Sequence, residues 1–169
     1  MAKDMKYNDT EYLVDRFLDD IIRLSLVYVK NIDDAQDIAQ AVFVTYLQKK
    51  PVFESEEHAK NWLLKVAVNM SKNHLRSKRV TVEFETLENV LFTQDTDNDD
   101  ESEARQREVL NAVLSLKESY REVIHLYYYM DYDTDRISKT LGIPAATVRT
   151  RLVRAREALE KKLKGGKAK

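Results

Sequence analysis

Apolar residues recur along this chain at helical intervals, with polar positions between them. Leu13, Phe17, Ile21, Leu24 and Tyr28 fall at i, i+4, i+8, i+11 and i+15, one face of a helix. Ala35, Ile38, Ala39, Val42, Phe43 and Tyr46 predict a second helix. It begins near Asp33-Asp34, where acids suit the positive end of the helix dipole and Asp33 with Gln36 has capping-box spacing. Lys49 to Ser55 breaks the pattern, and Ser55 is the expected cap of a long helix that buries Ala59, Trp62, Leu63, Val66, Ala67 and Met70. Further on, Val109, Leu110, Val113 and Leu114 mark one helix, and Tyr120, Val123, Ile124 and Tyr127 another. Within the latter, Tyr127-Tyr-Tyr129 is expected to form a core face with one exposed ring. After a turn at Asp131-Tyr-Asp133 come a short helix, Gly142, Pro144 and a final helix with Val148, Leu152, Ala155 and Leu159 facing inward.

Composition supports the same architecture. Three glycines and two prolines in 169 residues, a third of them charged, predict an all-α fold. There is no cysteine, which excludes disulfides and thiolate metal sites. No apolar run is long enough to span a bilayer, and the first residues lack a signal-peptide core, so a cytoplasmic protein without stable membrane insertion is expected. His58, His74 and His125 lack metal-site spacing, and no nucleophile–base pairing or phosphate loop is evident. The sequence thus predicts no metal, no cofactor, no catalytic residue and no enzyme.

Charge divides the chain. The total is near neutral, 28 basic against 29 acidic groups. Residues 81–103 hold nine acids and no Lys or Arg, whereas 104–169 hold 15 basic and eight acidic groups. The expected organisation is two small helical domains, 1–80 and 104–164, joined by an acidic flexible linker over 81–103 and followed by a basic tail at 165–169.

The last two helices have the layout of a helix-turn-helix, whose second helix enters the DNA major groove. On that helix Ala146, Arg149, Thr150, Val153 and Arg154 lie opposite the apolar stripe. Arg can fork onto guanine, Thr can reach either base edge, and Val suits a thymine methyl. Arg151 and Arg156 fall on the flanks, suited to a phosphate contact or an intramolecular ion pair. In the first domain, the helix after Ser55 has a polar face of Lys65, Asn69, Lys72, Asn73 and Arg76, continued by Lys78 and Arg79. Phe53 and Trp62 offer rings of the kind single-strand binders use for stacking. A core Trp62 beside a solvated polar stripe is the competing reading.

These segments together resemble the extracytoplasmic-function group of the sigma-70 family. Asp34-Ala-Gln-Asp-Ile-Ala-Gln-Ala-Val-Phe43 is similar to the family's polymerase-binding helix, and Asn61 to Arg76 to its promoter-melting, minus-10-reading helix. Tyr120-Arg-Glu-Val-Ile and Thr147 to Leu159 are similar to its minus-35-reading domain. The resemblance implies a transcription initiation factor that binds core RNA polymerase at the β′ clamp helices and the β flap, recognises promoter DNA, and is held by an anti-sigma factor. It assigns Asp37, Gln40, Phe43 and Val44 to polymerase. It assigns Phe53, Trp62, Lys65, Asn69, Lys72, Asn73 and Arg76 to the minus-10 element, with Lys50 to Ser55 as the loop that receives an unstacked base. Thr147, Arg149, Thr150, Arg151, Val153 and Arg154 would serve the minus-35 element. The linker would run through polymerase channels or remain a solvated tether. Four positions depart from the family pattern: Lys117 stands for a common proline, Asn73 for an aspartate, and Arg136 and Ser138 make Arg-Ile-Ser of Glu-Ile-Ala. A helix-turn-helix regulator acting without polymerase, and a sigma-like adaptor, are the rival readings.

Overall fold

The computed structural model describes residues 6–77 and 100–167, which are helical with no strand among them. The chain divides into two compact units, Met1–Val82 and Glu83–Lys169.

The first unit comprises a 3-10 turn, Lys6–Asn8, and three helices: α1 (Thr10–Val29), α2 (Ile32–Lys49) and α3 (Glu56–Ser77). Asp9 caps α1 by accepting from the Tyr12 N–H at 3.0 Å. Helix α2 is capped by Asn31, whose side chain accepts from the Asp34 N–H at 3.0 Å, and not by an Asp33–Gln36 box. Asp33 and Asp34 already lie inside the first turn, where they still complement the dipole. Ser55 caps α3 as expected, accepting from the His58 N–H at 3.0 Å.

The predicted stripes of α1 and α2 are buried. The last turns of α1, Arg23 to Val29, are buried all round because this helix packs against both others. The buried face of α3 is rotated from the expected one: Ala59, Leu63, Leu64, Ala67, Val68 and Ser71 are buried, while Trp62, Val66 and Met70 are half-buried on one flank. A helix wedged against two neighbours needs a wider apolar arc than a single stripe, and Leu64 and Val68 supply it.

The second unit contains α4 (Asp100–Leu114), α5 (Glu118–Ile124) continuing as a π-helical turn (His125–Tyr129), α6 (Thr134–Leu141) and α7 (Ala145–Lys167). Asp100, Glu101 and Glu103, expected in the linker, form the first turn of α4, where acids favour the helix. The rest of the expected linker, 81–99, lies outside the described residues, as do Lys78 to Val80. The final helix runs on through Gly165 to Lys167, into what was expected to be a tail.

Val123, Ile124, Leu126, Ile137, Val148, Leu152 and Ala155 build the core of this unit, while Val109 is exposed and Leu159 half-buried. The π turn, closed by the Met130 N–H on the His125 carbonyl at 3.1 Å, changes the angular step between residues. As a result Tyr128 and Tyr129, 59% and 45% exposed, both face outward where one exposed ring was expected.

Candidate nucleic-acid and polymerase interfaces

Helix α6 starts at the Asp133 cap, which accepts from the Arg136 N–H at 2.8 Å, and stops at Gly142 in the left-handed region, φ 67°. The Gly142 N–H bonds the Ser138 carbonyl, and the Ser138 hydroxyl donates to the Ile143 carbonyl. Ser138, a departure from the family's alanine, therefore ties the turn to the helix before it.

After Pro144, α7 buries Val148, Leu152 and Ala155 and exposes Ala146, Arg149, Thr150, Val153 and Arg154. Thr150 donates its hydroxyl proton to the Ala146 carbonyl at 3.0 Å, which leaves its methyl and an oxygen lone pair to face outward. Thr147 is half-buried. Arg151 turns toward the protein: its guanidinium lies 3.2 Å from the carboxylate of Glu122, a side chain only 2% exposed. Arg156 lies over the rings of Tyr127 and Tyr128 at 5.3 and 5.5 Å and donates to the Tyr128 hydroxyl at 2.6 Å. Of the two alternatives open to the flanking arginines, both take the intramolecular one in this structure, Arg151 with its side chain still 29% exposed.

In the first unit Lys65, Asn69, Asn73 and Arg76 are exposed along α3, opposite its buried face, and Lys72 is half-buried. Phe53 differs from expectation. It is 1% exposed, stacked on Tyr46 at 5.9 Å, edge-on to His58 at 5.3 Å and tilted against Trp62 at 5.8 Å. Burying this ring at the joint of α2 and α3 removes more apolar area from water than a loop-tip position would, so Phe53 is a core residue here and presents no stacking face. Trp62 packs edge-on against Tyr46 at 6.3 Å and stays half-buried.

On α2, Asp37, Gln40 and Val44 are exposed and lie alongside exposed Leu47, an acidic and apolar face. Phe43, expected in the polymerase-contact set, is buried with Val42 and Tyr46. Polar links between helices help fasten the bundle. The Asp34 carboxylate and the His74 ring meet at 3.1 Å between the start of α2 and the end of α3. Glu56 accepts from the Tyr12 hydroxyl at 2.7 Å and from the Arg16 guanidinium at 2.9 Å. The Tyr12 hydrogen bond, with help from Arg16, holds the Glu56 carboxyl below the usual carboxylate range, and the same bond raises the Tyr12 phenol.

Sequence reasoning missed Glu122 and Asn8. A charged residue within an apolar run carries no periodic signal, and Asn8 precedes the first stripe altogether. Among the described residues no group of His, Asp and Glu is placed to hold a metal ion.

Residues 13–81 match the family described as sigma-70 region 2, and residues 106–159 match sigma-70, region 4. The RNA polymerase sigma factor HrpL of Pseudomonas syringae pv. syringae is 30% identical over 140 residues, covering 80% of this chain and 76% of the relative. The chain belongs to the sigma-70 family. Within it the protein is a bacterial sigma factor of the extracytoplasmic-function group, a transcription initiation factor. SigV of Bacillus subtilis (strain 168) is 32% identical over 138 residues, 80% of each chain, and the extracytoplasmic-function factor SigW of the same organism 29% over 163 residues, 90% of this chain and 87% of the relative. Among solved structures the fold is similar to the sigma factor RpoE from Bartonella quintana, crystallised with the anti-sigma factor NepR. That match has a TM-score of 0.70 and 19% identity and covers 92% of this chain and 97% of the other. CnrH in complex with the cytosolic domain of CnrY has a TM-score of 0.66, 20% identity, and coverage of 92% and 88%.

Among the departures of this sigma factor, Lys117 keeps the backbone a proline would impose, φ −65° and ψ 155°, as N-cap residue of α5. Its ammonium group sits 4.3 Å over the Tyr120 ring, a contact proline could not make. Arg136, where the family has glutamate, is exposed on α6 beside the Tyr132 ring at 5.7 Å.

Proposed function

We propose that this sigma factor binds core RNA polymerase through the exposed Asp37, Gln40 and Val44 face of α2 and through the β flap, and directs the enzyme to promoters with paired minus-10 and minus-35 elements. The observation that carries the reading is the division of labour among the α7 arginines. Arg151 and Arg156 are engaged within the protein, while Arg149 and Arg154 stand on the exposed face with Thr150 and Val153. Such a face presents two guanidinium forks and one methyl-sized contact to base edges. The polar face of α3, with Trp62 at its flank, serves the minus-10 strand, and the loop from Lys50 to Ser55 receives the unstacked base. Its place of action is the cytoplasm, and no described helix is long and apolar enough to cross a membrane. An anti-sigma factor regulates it, a proposal supported by the fold relative RpoE, crystallised with the anti-sigma factor NepR.

Run-off transcription with core polymerase over a random promoter library tests the proposal. The expected result is a selected pair of motifs at fixed spacing. Operator binding by the isolated protein, with no motif pair selected in the presence of core enzyme, would establish a polymerase-independent regulator instead.

A further inference from the structure

The Lys50–Ser55 loop is fastened to a residue outside the motifs that mark this family. Asn8 makes two hydrogen bonds to one residue of the loop: its Nδ2 donates to the Phe53 carbonyl at 3.0 Å, and its Oδ1 accepts from the Phe53 N–H at 2.7 Å. A carboxamide is the side chain that offers a donor and an acceptor side by side, so it can pair with a peptide unit as a neighbouring strand would. The orientation of the amide follows from the pairing, because the flipped group would set donor against donor and acceptor against acceptor.

Asn8 is itself held in place. Its carbonyl accepts from the Tyr46 hydroxyl at 2.6 Å, and it lies between the Lys6–Asn8 turn and the Asp9 cap of α1. The Tyr46 ring in turn stacks on Phe53. Backbone and ring of Phe53 are thus both fixed, one by Asn8 and the other by Tyr46. The rest of the loop has little choice of shape. Lys50 closes α2 in the left-handed region at φ 45°, the Glu54 N–H meets the His58 ring at 3.3 Å, and Ser55 caps α3. Its projecting apolar residue is Val52, 70% exposed.

We infer that Asn8 is a positioning residue for minus-10 recognition: it sets the loop that accepts the unstacked base, although it belongs to the chain before the first helix. The inference rests on the proposed role of that loop. A recognition element must be held to a fraction of an ångström to discriminate, and a misplacement of about 1 Å costs on the order of a hundredfold. Asn8→Ala removes both hydrogen bonds. Asn8→Asp keeps the acceptor for the Phe53 N–H but loses the donor and sets a carboxylate against the Phe53 carbonyl.

The test measures minus-10 base preference for the full-length wild type, Asn8→Ala, Asn8→Asp and Tyr46→Phe, each with core polymerase on promoter libraries with a constant minus-35 element. Core-enzyme affinity and thermal midpoint are measured in parallel. The expected result is a loss of preference by about tenfold or more at one minus-10 position in Asn8→Ala and Asn8→Asp, with core affinity unchanged. Tyr46→Phe, which keeps the ring and releases the Asn8 carbonyl, is expected to flatten the same position by a smaller factor. It reports on the same linkage if the Asn8 variants fail to fold. A uniform fall on all templates, in proportion to the folded fraction, would overturn the positioning role and leave the loop reading intact. A wild-type profile with no minus-10 preference would overturn the loop reading itself, and the inference with it.

Discussion

The carboxylate of Glu122, almost wholly buried in α5, meets the guanidinium of Arg151 on α7 at 3.2 Å. One arginine of the recognition helix therefore anchors that helix to the body of its unit. Removing one partner of a buried pair leaves the other charge poorly compensated, at a cost of about 3–5 kcal/mol when both are fully buried. Arg151 is 29% exposed, so a smaller loss, about 1–3 kcal/mol, is expected for Arg151→Ala in urea denaturation. If Arg151→Ala left stability unchanged and reduced minus-35-dependent transcription as much as Arg149→Ala, the assignment of Arg151 to the interior would be wrong.

The converse holds for the outward arginines. Arg149→Ala and Arg154→Ala should each weaken minus-35-dependent transcription by about 1–3 kcal/mol, the worth of a bidentate base contact, while changing the unfolding midpoint little. Promoters that differ at a single minus-35 base pair give the sharper readout. A true base contact loses discrimination at one position, whereas a phosphate contact weakens all promoters alike.

Phe53 separates packing from recognition. Its ring is enclosed by Tyr46, His58 and Trp62, so Phe53→Ala should destabilise the first unit by about 3–5 kcal/mol through lost transfer energy and the cavity left behind. Circular dichroism during chemical denaturation would show it. A stable Phe53→Ala variant defective only in promoter opening would return the ring to the DNA-contact set.

The physical reasons for what the sequence could and could not reveal lie in particular residues. The stripes of α1 and α2 were legible because each helix repeats large apolar groups at a constant angular step. The α3 stripe was misjudged by part of a turn because Trp62 and Met70 are apolar yet sit at a margin, while the buried arc includes Ser71. The Tyr127-Tyr-Tyr129 run misled because a π turn breaks the step on which periodicity relies. Asn31 and Asp33 are both competent caps, and only the backbone shows which of them stands outside the first turn. The outward face of α7 was legible in full, since an apolar stripe on a helix defines its opposite. Burial of Phe53 was the hardest to foresee, and Phe43 stood both in the α2 stripe and in the polymerase set, because an aromatic ring suits a core and an interface equally well.

The Tyr12–Glu56–Arg16 link gives a pH signature. Glu56 has a lowered folded-state pKa, so its contribution is present above the ordinary glutamate range and is lost as pH falls through the lowered value. Tyr12 is raised, so its contribution is present below the ordinary phenol range and fades as pH rises through the raised value. The stability difference between wild type and Glu56→Gln should therefore be greatest across the neutral range and shrink on acidification. Thermal midpoints over a pH series check this. A difference that persisted unchanged in acid would rule the carboxylate out as its source.

Two left-handed helix stops should respond in opposite directions to substitution. Gly142, at φ 67°, has no heavy atom beyond its own chain neighbours within 4 Å of the place a Cβ would occupy. Gly142→Ala therefore meets no steric neighbour and bears only the backbone cost of a left-handed L-residue, about 1–2 kcal/mol. Lys30 already carries that cost at φ 52°, with its N–H bonded to the Leu26 carbonyl at 2.9 Å. Lys30→Gly keeps this hydrogen bond and relieves the strain. The greater freedom of glycine in the unfolded chain offsets part of the gain, which leaves a stabilisation of a few tenths to about 1 kcal/mol. Unfolding midpoints that moved down for Gly142→Ala and up for Lys30→Gly would establish backbone conformation as the governing factor at both stops. A fall in both would mean that the Lys30 side chain stabilises the α1–α2 corner by more than its backbone strain.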